Sequence, residues 1–342
     1  MNIIELCERG LVPDWLTRWG MRRLMAQRLH DGYTSGSEAR NENYRKLLAE
    51  LRHSPIAIAT DKANEQHYEV PAGFYLKSLG HRLKYSACYW SAATPNLDAA
   101  EDAMLGMYCQ RAGIADDMRI LDLGCGWGSL SLWMAEHYPN ASITSLSNSS
   151  SQRAHIEAQA TQRGLRNIKV ITTDINNFDT TERYHRVMSI EMFEHMRNYE
   201  RLLQNIARWL EPNGKLFVHI FCHRELAYYF ETEGNDNWMG KYFFTGGIMP
   251  SENLLLNFQN DLLLDEQWWL SGTHYAKTSE AWLDNLDANR GGVLDMFKRD
   301  YGPAEAALWV QRWRMFFMAC AELFAYRNGE EWGVAHYLFT RR

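Results

Sequence analysis

The chain has 342 residues, 46% hydrophobic and 23% charged, with a formal net charge of -6. That length can bury a large core, in one enlarged domain or two, and the slightly acidic balance argues against general nucleic-acid binding, which needs a basic face. Six cysteines without C-x-x-C spacing argue against a zinc site, so no metal is expected; with no apolar run of roughly 18 residues and no leader pattern at the N-terminus, the expectation is a soluble cytoplasmic protein with reduced thiols.

Residues 13–31 predict an amphipathic helix opening at Pro13 and made basic by Arg18, Arg22, Arg23 and Arg28. It is expected to pack on the body with its basic face solvated, membrane-surface contact being the alternative. A loop over Gly32–Ser37 and a helix over 38–53 follow. Residues 1–60 are read as an N-terminal helical segment ahead of a domain at 61–342. From 118 to 221 strands alternate with helices: strands at Arg119–Leu123, Ile143–Leu146, Lys169–Thr173, Arg186–Ile190 and Lys215–Phe221, helices at 128–137, 151–163 and 198–210. That alternation predicts an α/β protein with a doubly wound, mostly parallel sheet covered on both faces. Ligands of such sheets sit beyond the carboxyl ends of the strands, near the switch in strand order. Residues 222–277, rich in aromatics and glycine, are expected to be a cap insertion with a short helix at 251–260. Helices at 278–297 and 303–326 and a final, antiparallel strand at Glu331–Thr340 complete the prediction.

The first strand runs into Asp122-Leu123-Gly124-Cys125-Gly126-Trp127-Gly128. Glycine permits positive φ and close approach of a ligand to the backbone. The spacing is G-x-G-x-G rather than the G-x-G-x-x-G of dinucleotide folds, and with Asp122 before it the run resembles motif I of class I S-adenosylmethionine-dependent methyltransferases. Another nucleotide site or a plain structural turn are the alternatives. Gly124, Gly126 and Gly128 would pass beneath the amino-acid part of such a cofactor, and Asp122 would reach its ammonium, directly or through water. The second strand ends at Ser147 and Asn148, with Gln152 beyond, all neutral where many nucleotide folds carry an acid; this weighs against NAD. Asp174, at the third strand's end, is placed to accept from an adenine amine with Ile175 against the ring, or else to cap a helix. Ile190, closing the fourth strand, is counted with the cofactor-binding set.

After that strand come Glu191, Glu194 and His195. Were the segment helical, all three would share one face. Carboxylates raise a neighbouring imidazole's pKa and oppose each other's ionisation, so the group can handle a proton near neutral pH; a salt-linked, capped helix is the structural alternative.

Taken in order, Gln66–Pro71, Leu83–Trp90, Asp122–Leu130, Glu191–Tyr199, Phe217–His223, Tyr242–Gly247 and Glu322–Trp332 resemble the cyclopropane-fatty-acid-synthase-like methyltransferases, and within them the coclaurine N-methyltransferase type, over residues 40–340. The resemblance implies a class I Rossmann-like fold and S-adenosyl-L-methionine as cofactor, contacted by Tyr85, Ser86, Gly124, Asn148, Gln152 and Asp174. It implies that Glu191, Glu194 and His195 face a substrate amine. Cyclopropane synthases hold bicarbonate in a small polar cluster. Its glutamate and histidine match Glu194 and His219, but its cysteine falls at Ala87, beside Cys88, and its tyrosine at Phe316. The Phe316 replacement is shared with the alkaloid-type enzymes; Ala87 departs from both groups.

The expected reaction is N-methylation of a small, aromatic or alkaloid-like amine. Glu194 or His195 takes the proton, and Glu191, helped by Glu69, attracts the cation. Tyr68, Tyr242, Phe244, Phe316 and Trp332 are expected as aromatic walls for a cationic ring-bearing substrate, with His219 beside them. Lipid cyclopropanation or C-methylation, with a membrane lipid as partner, is the alternative reaction. The aromatic C-terminal helices suit a homodimer as well as a core.

Overall fold

The computed structural model describes residues 2–34, 36–58, 70–234 and 237–342. Three helices lead: α1 (Ile3–Glu8), α2 (Asp14–Thr34) and α3 (Gly36–His53), then α4 (Ala72–Ser78) and α5 (Leu97–Ala112). The loop expected over Gly32–Ser37 is thus mostly helical. Alternation then sets in: β1 (Arg119–Leu123), α6 (Ser129–His137), β2 (Ser142–Ser147), α7 (Ser150–Arg163), β3 (Ile168–Thr172), β4 (Tyr184–Ile190), a 3-10 turn at Phe193–His195, α8 (Tyr199–Trp209) and β5 (Leu210–His223). Local chemistry sets these bounds. Ser149 accepts from the backbone N–H of Gln152 to start α7, and Gly164, left-handed at φ 69°, ends it. Asn96 and Gly113 do the same for α5.

With β8 at Leu262–Leu270 and β9 at Trp332–Arg341, seven strands form the main sheet, in the order β3-β2-β1-β4-β5-β9-β8. Strands β1 to β5 are parallel, and β9 (Trp332–Arg341) runs antiparallel between β5 and β8 (Leu262–Leu270). The doubly wound, mostly parallel sheet with an antiparallel last strand is therefore present. Strand order reverses between β1 and β4, so the glycine turn after β1 and the Glu191 segment after β4 flank one crevice.

The cap is shorter than the expected 222–277. Residues 262–270 form β8 of the main sheet, because β9 supplies a long antiparallel ladder from Leu262 opposite Arg341 to Leu270 opposite Val334. What precedes it is a small cover: a two-stranded ribbon of β6 (Tyr228–Tyr229) and β7 (Ile248–Met249), a short helix α9 (Trp238–Tyr242) and a 3-10 turn, Leu254–Asn257, in place of the helix at 251–260. The single helix expected at 278–297 is two, α10 (Gly272–Ala288) and α11 (Arg290–Asp300), followed by α12 (Pro303–Ala325).

Most of the aromatic surplus is core. Trp282, Trp313, Phe74 and Phe317 are fully buried, with Phe74 and Trp313 centroids 4.5 Å apart. The basic helix α2 packs on the body, as expected. Arg18 donates to Glu280 and Glu322, and Arg314 of α12 joins Asp14 to Asp287. Among the described residues no helix is long and apolar enough to cross a membrane. All six cysteines are buried and unpaired.

Candidate active site

Two lobes of one crevice open at the switch point and share Gly124, Gly126, Gln152 and Glu191. Asn148, Ile175, His195 and Gly246 line the first. Tyr85, Ser86, Asp122 and Ile190 line the second. The glycines have distinct duties. Gly126 has φ 53° and no atom within 4 Å of where a Cβ would stand, so its bare edge faces the crevice. Gly128 has φ 81° and lies outside both lobes; a Cβ there would meet Ile156 Cγ1 at 2.6 Å, so it serves helix packing.

Asp122 is fully buried and accepts from Ser131 Oγ. Burial pushes its carboxyl up to about 6, the Ser131 bond opposing. Three polar atoms around the crevice, Trp127 Nε1, Ser129 Oγ and Gln152 Nε2, are buried with no hydrogen-bond partner among the described residues. Such groups are costly unless a ligand satisfies them. With the open edge of Gly126, they fit a polar, extended ligand such as the amino-acid and ribose parts of S-adenosylmethionine. Asp174 lies between the lining residues Thr173 and Ile175 without lining either lobe itself. Its carboxylate accepts from the Asn176 N–H within its own turn; a turn and not a helix follows, so the expected alternative of a helix cap is not met.

The segment after β4 is not an α-helix, so the three acid–base residues do not share a face. Glu191 sits at φ 48°, a left-handed conformation that costs a non-glycine residue about 1–3 kcal/mol. Its N–H donates to the carbonyl of His219 at 2.9 Å. The sharp turn points Glu191 and His195 into the crevice and Glu194 into the core.

The Glu191 carboxylate accepts three hydrogen bonds: from Ala87 N–H at 2.9 Å, from His219 Nε2 at 3.0 Å, and from the Tyr275 hydroxyl at 2.7 Å. Burial raises its pKa, opposed by Lys84, Tyr275, Ala87 and His195. Glu194 is fully buried. Its Oε1 accepts from the Phe221 N–H at 2.9 Å, and its Oε2 has no partner among the described residues. Burial and the charge of Glu191 hold its carboxyl well above the usual range. Burial pushes His195 down to about 4, Glu191 opposing, so its imidazole is neutral. The ring stacks parallel to Phe244.

The expected aromatic walls divide. Phe244 lies against His195, and Phe316 stacks on Phe243 with centroids 4.3 Å apart. Tyr242 turns away, carrying the Arg312 guanidinium on its face at 4.2 Å. Trp332 is fully buried and donates to the Tyr228 hydroxyl. His219 is fully buried behind Glu191 rather than beside a ring-bearing ligand. Tyr68 and Glu69 lie outside the described residues.

Sequence reasoning missed Lys84 and Tyr275. Lys84 is 2% exposed, and its ammonium donates to Ser86 Oγ and the Ala87 carbonyl. Burial lowers its pKa, opposed by Cys88, Glu191 and Glu101. Lys84 lies in the matching stretch Leu83–Trp90, but a lysine there reads as an ordinary exposed cation until the fold buries it. Tyr275 sits on α10, 84 positions from the carboxylate it serves.

Residues 57–332 match the family described as mycolic acid cyclopropane synthetase. (S)-coclaurine N-methyltransferase of Thalictrum flavum subsp. glaucum is 39% identical, over 100% of this chain and 96% of its own length. The crystal structure of coclaurine N-methyltransferase bound to N-methylheliamine and SAH superposes with a TM-score of 0.96 at 39% identity, covering 99% of both chains. Cyclopropane-fatty-acyl-phospholipid synthase of Escherichia coli (strain K12) is 28% identical over 79% of this chain and 66% of its own length.

Proposed function

The chain belongs to the mycolic acid cyclopropane synthetase family and is an S-adenosylmethionine-dependent methyltransferase; from that premise we propose that it methylates the nitrogen of a small, aromatic, alkaloid-like amine. One observation carries the reading: a carboxylate and a neutral imidazole, Glu191 and His195, line the same crevice as the glycine turn. The 39% identity to a coclaurine N-methyltransferase supports it against the 28% to a lipid cyclopropane synthase.

The sulfonium methyl of S-adenosylmethionine is a ready electrophile, so the protein's task is alignment and proton removal. Asp122, Ser86 and Tyr85 would hold the amino-acid end in one lobe, and Asn148, Gln152 and Ile175 the nucleoside in the other. A protonated amine has no lone pair to offer. Glu191 attracts the ammonium, and His195, whose imidazole is neutral, accepts its proton on a ring nitrogen. The nearby carboxylate stabilises the imidazolium that forms. Glu194, turned into the core with its Oε1 on the Phe221 N–H, is a weaker candidate for the base and is assigned to holding the turn. Phe244 and Phe316 supply the flat apolar wall that a ring-bearing cation prefers. Six unpaired cysteines fit a reducing compartment, and a cytoplasmic placement belongs to the same proposal.

Trideuteromethyl S-adenosylmethionine, offered with an amine panel and a phospholipid extract, tests the proposal by mass spectrometry. N-methylation leaves three deuterons in an amine product. Lipid products retaining two deuterons, with no amine methylated, would replace this reading with cyclopropanation.

A further inference from the structure

Behind Glu191 lies a buried line of polar side chains that the proposed reaction does not use. His219 on β5 and His336 on β9 are direct partners across the antiparallel ladder, so their rings share one face of the sheet. Both are fully buried. His336 Nε2 is 2.8 Å from His219 Nδ1, and His219 Nε2 is 3.0 Å from Glu191 Oε1. At the far end, the guanidinium of Arg111 on α5 contacts His336 Nδ1. Arg111 is only half-buried and lies over the indole of Trp268 at 4.7 Å.

A guanidinium donates and never accepts. Nδ1 of His336 must therefore be the bare nitrogen, with its hydrogen on Nε2. That hydrogen points at Nδ1 of His219, which leaves the His219 hydrogen on Nε2, aimed at the carboxylate. The Tyr108 hydroxyl, 2.9 Å from the same Nδ1 of His219, shares that single lone pair with the His336 N–H. Burial, with the cations Lys84 and Arg111, holds both imidazoles well below their ordinary range, so each carries one ring hydrogen.

We propose that Arg111 and His336 are positioning residues that fix the tautomer of His219, so that an N–H always faces Glu191 and keeps its carboxylate charged and oriented to hold the substrate ammonium. The proposal rests on the amine reading above and assigns a division of labour within it. Glu191 is the anchoring anion and does not pass its proton inward, because the line can only donate toward it. Other groups face these residues. Glu191 meets Lys84 and Cys88 from the segment before α5, Glu194 and His195 from the turn after β4, Tyr275 from α10 and Cys320 from α12. Arg111 meets Tyr89, Tyr108 and Glu266. None of these donates to His336 Nδ1 in place of Arg111 among the described residues.

The first test needs no substrate. In the wild-type protein, ring 15N NMR should show the Nε2–H tautomer for both His219 and His336; the Nδ1–H tautomer at either would overturn the proposal. The second uses Arg111→Met, which removes the donor and keeps the half-buried stem. Its KM for the amine should rise severalfold, and the acid limb of kcat/KM should move up by about half to one pH unit, as a carboxylate losing donor support requires. Cofactor affinity should not change. With Arg111 in place, His336→Gln can accept from it and donate to His219, so it should keep both parameters near their wild-type values; His336→Leu should shift them as Arg111→Met does. An unchanged pH profile and amine KM in folded Arg111→Met would overturn the proposal. If the wild-type protein methylates no amine, the amine reading fails, while the tautomer result still decides whether the line is oriented as inferred.

Discussion

The imidazole of His195 lies parallel to the ring of Phe244, with centroids 5.8 Å apart and planes 7° apart. Phe244 is itself held by Phe230, stacked at 4.9 Å, and by Phe221, edge-on at 5.6 Å. The orientation of the proposed base is thus fixed by an apolar wall. Replacing His195 by Ala should lower kcat by about 100-fold or more, the range of a positioned acid–base group, with the cofactor's Kd by calorimetry nearly unchanged. Phe244→Leu keeps the base but frees its plane, and about tenfold in kcat/KM is the expected loss. Wild-type turnover in His195→Ala would remove His195 from the mechanism.

Two glycines of the same turn should respond differently to alanine. At Gly126 the new methyl meets nothing in the protein. Stability should fall only by the left-handed backbone cost, about 1–2 kcal/mol, while cofactor binding falls steeply because the methyl projects into the crevice. At Gly128 the methyl meets Ile156 at 2.6 Å as well, so overpacking adds about 1–3 kcal/mol. Urea unfolding of the cofactor-free proteins, beside cofactor titrations, separates the two effects. Equal stability losses would contradict the assignment.

Asp122 should leave a mark on the pH dependence of stability. Burial raises its pKa from 3.8 to about 6. Between those values the folded protein keeps a proton that the unfolded chain releases, so Asp122 costs stability progressively as pH rises through the window. Above pH 6 the cost levels off at about 3 kcal/mol, from 1.36 kcal/mol per pKa unit. In cofactor-free protein, Asp122→Asn should therefore gain on wild type between pH 4 and 6 and hold that gain above it. A difference that is flat with pH would show that the carboxyl titrates normally.

Trp332 ties the cover to the sheet, donating from Nε1 to the Tyr228 hydroxyl on β6. Trp332→Phe removes that donor and leaves a small void. Together these should cost about 2 kcal/mol, seen as a lower urea midpoint without a change in m. A midpoint equal to wild type would mean that the ribbon is held by its other contacts.

What could be read from the sequence was local or periodic. The glycine turn announces itself because positive φ at Gly124, Gly126 and Gly128 is a demand on residue type, and the strand–helix alternation carries β1 to β5. Strand β8 escaped because Leu262-Leu263-Leu264-Asp265-Glu266 lacks clean alternation; its register shifts near Asp265, and its partner β9 begins some seventy positions later. The left-handed Glu191 escaped because nothing in its residue type calls for positive φ, and that one dihedral sends Glu194 inward. The Arg111–His336–His219 line joins residues more than a hundred positions apart. The register of β5 on β9 brings the two histidines together, and α5 lays Arg111 beside them.

That register has a consequence for biogenesis. The strand that comes last in sequence, Trp332–Arg341, occupies an interior slot between β5 and β8. A nascent chain can assemble the five parallel strands early, yet both flanking ladders stay open until residue 341 has left the ribosome. Any product cut short before Trp332 would display two bare, apolar edges at once, one along Phe217–Phe221 and one along Leu262–Leu270. Unpaired edges of this kind template intermolecular pairing, so such fragments should be handled as aggregation substrates by chaperones and proteases, not as slightly shortened enzymes.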